Sequence, residues 1–270
     1  MNHLNAPTPP RPHAPTPLRL LFIGDIFGRP GRDAVKHFLP QVLKQYPSNL
    51  VLANCENAAG GHGMTLKIYQ EFKAMGIHGF TSGNHIWDKK EFLHEVDQCP
   101  DLLRPANYAK LQPGRGHMIL NGVAIINLAG RAFMGPADDP FAAVDQILSE
   151  LPADMPVIVD MHAETTSEKT CMAWHLDGRA AVLVGTHTHV QTADERILPN
   201  GLGYITDVGM CGGRDGVIGA DRKLALEGML TGLKQKLEPE KGSLQVNACH
   251  FSLDKDTGRC LAVKRIFLRD

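Results

Sequence analysis

The sequence predicts an α/β protein in which mixed sheets are covered by helices. Three observations carry this expectation. Short apolar runs alternate with amphipathic stretches over the first part of the chain, an Asn-Gly pair separates two apolar runs near the middle, and the C-terminal part reads mostly as strand and turn.

The first run, LRLLFIGD from Leu18, is continuously apolar, as a strand buried on both faces must be, and a Gly/Pro-containing loop follows it. A helix is expected from about Gly31 to Tyr46. NLVLANCEN then reads as a second strand, Thr65 to Met75 as an amphipathic helix and HGFTSGNH as a third short strand, completing a βαβαβ opening. GHMIL and VAIINLAG, joined by Asn121-Gly122, give the strongest hairpin signal in the chain. Helices from about Pro140 to Leu151 and from Ser167 to Leu176 lead into PVIVDMH and AAVLVGTHTH, two further parallel-type strands. ERILPNG, LGYITD, LQVNACHFSL and GRCLAVKRIFL read as mostly antiparallel strand, with one helix near Asp221 to Leu230. Residues 1–17, rich in proline and nearly devoid of large apolar side chains, read as a disordered tail ahead of one domain over 18–270.

The 270 residues, 43% hydrophobic, suffice for a full core. A formal net charge of -1 lacks the cationic excess of a protein held stably on nucleic acid, so a small anionic substrate fits better than a polymer. Six cysteines without a Cys-x-x-Cys pair read as free thiols of a reducing cytoplasm. No run approaches the roughly 18 apolar residues of a membrane span.

Five segments share one layout, an apolar strand ending in residues able to ligate metal. FIGD ends at Asp25, LANCEN at Glu56 and Asn57, TSGNH at Asn84 and His85, IVDMH at His162, and LVGTHTH at His187 and His189. The crevice beyond the carboxyl ends of parallel strands is where open α/β sheets bind ligands, so these ends should converge. Singly, each residue has an ordinary explanation as a turn, a cap, a loop polar or a satisfied buried imidazole. The conjunction of carboxylates, amides and imidazoles at five strand ends does not. His187 and His189, placed on a strand, would face the same way. Imidazole and oxygen donors without thiolate suit iron or manganese, with zinc as an alternative, better than calcium or magnesium. Six or seven ligands exceed one site, so two transition-metal ions about 3.5–4 Å apart are expected, clamping the attacking and leaving oxygens of a phosphoryl displacement.

At these residues the chain resembles the calcineurin-like metallophosphoesterases: Gly24-Asp25, Glu56, Gly83-Asn84-His85, His162 and Gly185-Thr186-His187-Thr188-His189 follow that family's pattern over residues 18 to about 270. GDIFGRPGRDAV, ENAAGG, GNHIWD, RPAN, HAETTSEK, GTHTHVQTADERILP and YITDVGM are similar to its YmdB-type branch. Members of that branch are similar to cyclic-nucleotide phosphodiesterases. The resemblance implies a four-layer α/β/β/α sandwich. It implies that Asp25 and His189 hold a first metal, Glu56 bridges, and Asn84, His162 and His187 hold a second, while His85 stands beside the leaving group to donate a proton or to stabilise charge developing on the phosphate oxygens. A homo-oligomer is implied by the likeness alone.

Two departures stand out. Asp25-Ile26-Phe27 occupies the place of the Asp-x-His that many members have, so one first-metal ligand is absent and Asn57 or a water replaces it. The bridge is glutamate, where aspartate is usual. Arg104 in LRPAN and Arg131 in LAGR are candidates for bidentate phosphate contacts. AAGGHG lacks a P-loop lysine, and its glycines read as permitting backbone turning beside the metals.

The leading expectation is hydrolysis of phosphodiesters, 2',3'-cyclic nucleotides first and 3',5'-cyclic ones next. The alternatives are a phosphomonoesterase or nucleotidase using the same metal pair, and a regulatory protein that holds metals and nucleotide. The retained His85 argues against a purely binding role.

Overall fold

A computed structural model describes residues 17–270. The tail read at residues 1–17 lies, Pro17 apart, outside the described residues. β1 (Leu18–Ile23) is followed after Gly24 by the two-residue β2 (Asp25–Ile26) and by α1 (Gly28–Gln45). This helix starts three residues before its expected position, because Pro30 falls in the first turn, where no N–H is needed from it. β3 (Leu50–Asn54), α2 (Leu66–Ala74) and β4 (Gly79–Thr81) follow, with Thr65 capping α2 through the N–H of Ile68. The four-residue α3 (Phe92–Glu95) is too short to show a period and was not expected.

β5 (His117–Leu120) and β6 (Val123–Ala129) form the expected hairpin, with φ of 53° at Asn121 and 77° at Gly122. α4 (Pro140–Glu150), β7 (Val157–His162), α5 (Thr166–Leu176) and β8 (Val182–Thr186) alternate as expected, α4 capped by Asp139 and α5 by Thr165. The remainder comprises β9 (Arg196–Ile197), β10 (Gly203–Ile205), β11 (Met210–Gly213), α6 (Arg222–Thr231), β12 (Leu244–Leu253) and β13 (Cys260–Arg269).

One sheet has the order β2-β11-β12-β1-β3-β4, with β13 also paired to β12; the other has β5-β6-β7-β8-β10-β9. Both are mixed. β1, β3 and β4 run parallel, as do β6, β7, β8 and β10, while the hairpin and the C-terminal pair are antiparallel. LGYITD therefore departs from the antiparallel expectation: its strand β10 lies parallel to β8, and only the short β9 opposes it. β11 was also unexpected, its Gly212-Gly213 giving no strand signal.

Three apolar cores separate the layers. Leu18, Leu20 and Phe22 of β1 meet Ile125, Ile158 and Val184 of the other sheet between the two sheets. Leu21 and Ile23 point the opposite way, toward Val35, Phe38 and Phe72 of α1 and α2. Ile126, Val159 and Leu183 face Val144, Met172 and Leu176 of α4 and α5. Strands buried on both faces read as continuous apolar runs, and the result is the four-layer α/β/β/α sandwich. Among the described residues no helix is long and apolar enough to cross a membrane.

Candidate metal centre

The carboxyl ends of β1, β3, β4, β7 and β8 bring Asp25, Glu56, Asn57, Asn84, His162, His187 and His189 into one cluster. Asp25, Glu56 and His162 are fully buried. The Nε2 atom of His162 lies 3.0 Å from Glu56 Oε1, 3.0 Å from Asn84 Oδ1 and 3.1 Å from His187 Nδ1. Beside it, Asn57 Nδ2 is 3.1 Å from Glu56 Oε1 and 3.2 Å from His189 Nε2, and His189 Nε2 is 3.9 Å from Asp25 Oδ1. Gly83 makes the approach feasible: a Cβ there would collide with the His162 ring and lie 2.5 Å from Glu56 Oε2.

The outward contacts of the three imidazoles fix where their protons sit. His189 Nδ1 faces the carbonyl of Ile218 at 2.8 Å, and a carbonyl only accepts, so Nδ1 carries the hydrogen and Nε2 a lone pair. His187 Nε2 donates likewise to Glu164 Oε2 at 3.0 Å, leaving the lone pair of Nδ1 turned inward. His162 Nδ1 lies 2.8 Å from Thr186 Oγ1, whose own hydrogen goes to Asp160 at 2.8 Å, so Nδ1 is a donor and the inward Nε2 is the nitrogen that can ligate once the ring is neutral. Asp160 also accepts from Thr81 and Asn54. Outer partners of this kind orient metal-binding imidazoles.

Ring nitrogens of three imidazoles thus converge with two buried carboxylates, an arrangement that calls for positive charge at its centre. Among the side chains alone, that charge falls on His162. Burial opposes a charged His162, yet Glu56 beside it raises the ring's pKa, and burial of Glu56 is outweighed by His162, which lowers the carboxyl's. His187 is pushed down to about 3 by burial and then by His162. Asp25 Oδ1 is buried without a hydrogen-bond partner. Such an orphaned carboxylate oxygen, among nitrogen and oxygen donors without thiolate, fits a transition metal.

His187 and His189 are not on a strand, contrary to expectation. β8 ends at Thr186, and the two residues have φ of 100° and 64°, a region costly for side-chain-bearing residues. Phe27, in the place of the absent ligand, packs edge-on against His189 at 5.5 Å between centroids, while Asn57 Nδ2 lies 3.2 Å from His189 Nε2. Arg104 is not brought to the site. Its guanidinium donates to the carbonyls of Pro105, Gln112 and Pro113 and braces that loop. Arg131 is exposed on its own loop and does not line the cleft.

The cleft over the cluster measures about 390 Å³. Phe27, Ile218, Ala220 and Leu237 give it one apolar side, and His62, His85 and Glu164 lie among its polar residues. His85 Nδ1 contacts Asp88 Oδ2 at 2.8 Å, and its backbone N–H donates to Glu56 Oε2 at 2.9 Å. His62, whose ring sits 4.8 Å from that of His85, has its pKa lowered by burial and then by His85. His62 and Glu164 escaped the sequence reading because neither ends a strand; Glu164 is in HAETTSEK, two residues beyond a predicted ligand, which is the one signal that pointed to it.

A two-sheet sandwich with carboxylate, amide and imidazole donors gathered at its strand ends is the architecture of the metallophosphoesterases. The profile of the YmdB-like protein family matches residues 21–266, and the chain belongs to that family. It is 44% identical over 258 residues, 94% of this chain and 98% of the relative, to the 2',3'-cyclic-nucleotide 2'-phosphodiesterase of Bacillus subtilis (strain 168). Its fold matches the crystal structure of a novel phosphatase from Mycoplasma pneumoniae with a TM-score of 0.89 at 35% identity, covering 94% of each chain. It also matches a hypothetical protein of Thermus thermophilus with a TM-score of 0.86 at 39% identity, covering 94% of this chain and all of that one.

Proposed function

We propose that this phosphoric ester hydrolase is a two-metal phosphodiesterase that opens 2',3'-cyclic nucleotides. Asp25, Asn57 and His189 would hold one ion, Asn84, His162 and His187 the other, and Glu56 would bridge them. Such a pair, when bound, supplies an activated water and a clamp for the phosphate oxygens.

The observation that carries the reading is the convergence of three imidazole rings on two buried carboxylates, each ring oriented by an outer partner. The lining of the cleft supports a diester over a monoester. Two divalent ions bring about four positive charges, and Asp25, Glu56 and the attacking hydroxide remove about three. No lysine or arginine is among the described lining residues. A diester monoanion balances such a site, whereas a monoester dianion needs further cations. The apolar side formed by Phe27, Ile218 and Leu237 suits a nucleobase, and the similarity to the Bacillus subtilis enzyme supports the cyclic substrate. His85, oriented through Nδ1 by Asp88, would donate the proton that the departing ribose oxygen needs.

The test compares a 2',3'-cyclic nucleotide with its 2'- and 3'-monophosphates, and bis(p-nitrophenyl) phosphate with p-nitrophenyl phosphate, at fixed metal and pH. Higher kcat/KM for the diesters is expected. Consistently faster monoester cleavage would make the phosphatase the better reading.

A further inference from the structure

Two strings singled out in the sequence, HAETTSEK and YITDVGM, each carry a charge that the ligand set leaves without a task, Lys169 and Asp207. The fold brings these two charges together. Lys169 Nζ, from α5, lies 2.7 Å from Asp207 Oδ2, just beyond β10, and each side chain is 1% exposed. Burying two ions costs several kcal/mol per ion before their attraction is counted, and well-packed apolar residues often serve stability as well or better. Stability alone is therefore a poor reason for this pair.

Its other contacts supply a better one. Asp207 Oδ2 accepts from the backbone N–H of Thr188 at 3.1 Å and from its hydroxyl at 2.8 Å, and Oδ1 accepts from the N–H of Gly209 at 2.8 Å. Thr188 stands between His187 and His189, the two residues with positive φ. The N–H groups of His187 and Thr188 are thus each held by a carboxylate, the first by Asp25 Oδ2 at 3.2 Å and the second by Asp207. The lysine stem runs against the end of β8 that leads into this loop, since a Cβ on Gly185 would come within 2.7 Å of Lys169 Cδ. Strained backbone persists only where its surroundings over-determine it, and this clamp reaches the loop from behind.

We infer that Lys169 and Asp207 are positioning residues for the metal centre: Asp207 holds Thr188 so that the rings of His187 and His189 turn inward, and Lys169 supplies the charge that lets that carboxylate be buried. The inference rests on the metal reading of the cluster. It extends the outer shell beyond the direct partners Thr186, Glu164 and Ile218 to a pair that touches no ligand side chain.

The test separates metal affinity from fold stability, using full-length protein stripped of metal and titrated with Mn²⁺ against a competing chelator. The apolar pair K169M/D207L should keep the melting temperature of the stripped protein while weakening Mn²⁺ binding about 10–100-fold, the range typical of lost outer-shell partners. K169M/D207N, which keeps an acceptor oxygen facing Thr188, should recover most of that affinity. Thr188→Val, which leaves the ion pair intact and removes one hydrogen bond to it, should weaken binding to a smaller degree and carries the test if the apolar pair fails to fold. Wild-type affinity in K169M/D207L, or in Thr188→Val should that variant carry the test, would overturn the inference. A wild-type protein that binds no Mn²⁺, Fe²⁺ or Zn²⁺ would instead overturn the metal reading beneath it.

Discussion

Asp25, Glu56 and Asn84 leave the first sheet on backbone without positive φ, whereas His187 and His189 leave the second with φ of 100° and 64°. On the carboxylate side the Glu56 N–H donates to Asn54 Oδ1 at 3.1 Å, and Glu56 Oε2 accepts from the N–H of His85 at 2.9 Å. The histidine side is held from a distance, by Asp25 on His187, Asp207 on Thr188 and Ile218 on His189. Ile218 itself, a β-branched residue, has φ of 47° and is 54% exposed. Left-handed backbone costs on the order of 1–3 kcal/mol per residue, so the histidine side stores strain that distant contacts must offset. The contrast teaches that candidate ligands on regular strand ends need no contact to hold their backbone, whereas those on a strained loop do.

Substitutions can break this comparison, the largest effects first. Asp25→Asn and His162→Ala remove ligands from either side, and each should weaken metal binding by more than about 100-fold, beyond the range for outer-shell partners, with turnover falling in parallel. Equilibrium dialysis with metal analysis checks this, and a variant that loses turnover while keeping both ions would contradict it. His85→Ala should lower kcat by about 10²–10⁴-fold with metal content intact, as for loss of a proton donor. Loss of an ion from that variant would move His85 into the ligand set.

Arg104→Ala should leave metal content and KM unchanged and lower stability by about 1–3 kcal/mol in denaturant titration, because three carbonyls lose their donor. A rise in KM with unchanged stability would return Arg104 to the substrate. Ile218→Gly should have the smallest effect. The carbonyl that holds His189 belongs to the backbone and survives, and relief of left-handed strain should raise stability by at most about 1 kcal/mol. A marked loss of stability would show that position 218 is not strained.

The carboxylate side was the more legible half. Continuous apolar runs ending in Asp25 and in Glu56-Asn57 mark strand ends without any knowledge of the partner strand, and the Asn121-Gly122 turn, the α2 helix and α4 follow from local rules in the same way. The spacing of His187 and His189 marked them as candidate ligands but gave no sign of their left-handed backbone, because what holds it comes from Asp25, Asp207 and Ile218, 18 or more residues away in the chain. Arg104 misled for a different reason, its partners being close in sequence. An arginine in a loop before proline looks available for phosphate, and only the fold shows its guanidinium turned onto the 105–113 loop. The parallel setting of β10 was hidden because direction is a property of the pair and not of the strand.

The central claim is that one chain holds two ions between the carboxylate and histidine sides. Elemental analysis of purified, catalytically active protein, with the metal counted against the chain, tests it directly. Two transition-metal ions per chain are predicted, with both lost and activity abolished on chelation and both regained when metal is restored. One ion or none in fully active protein would contradict the account.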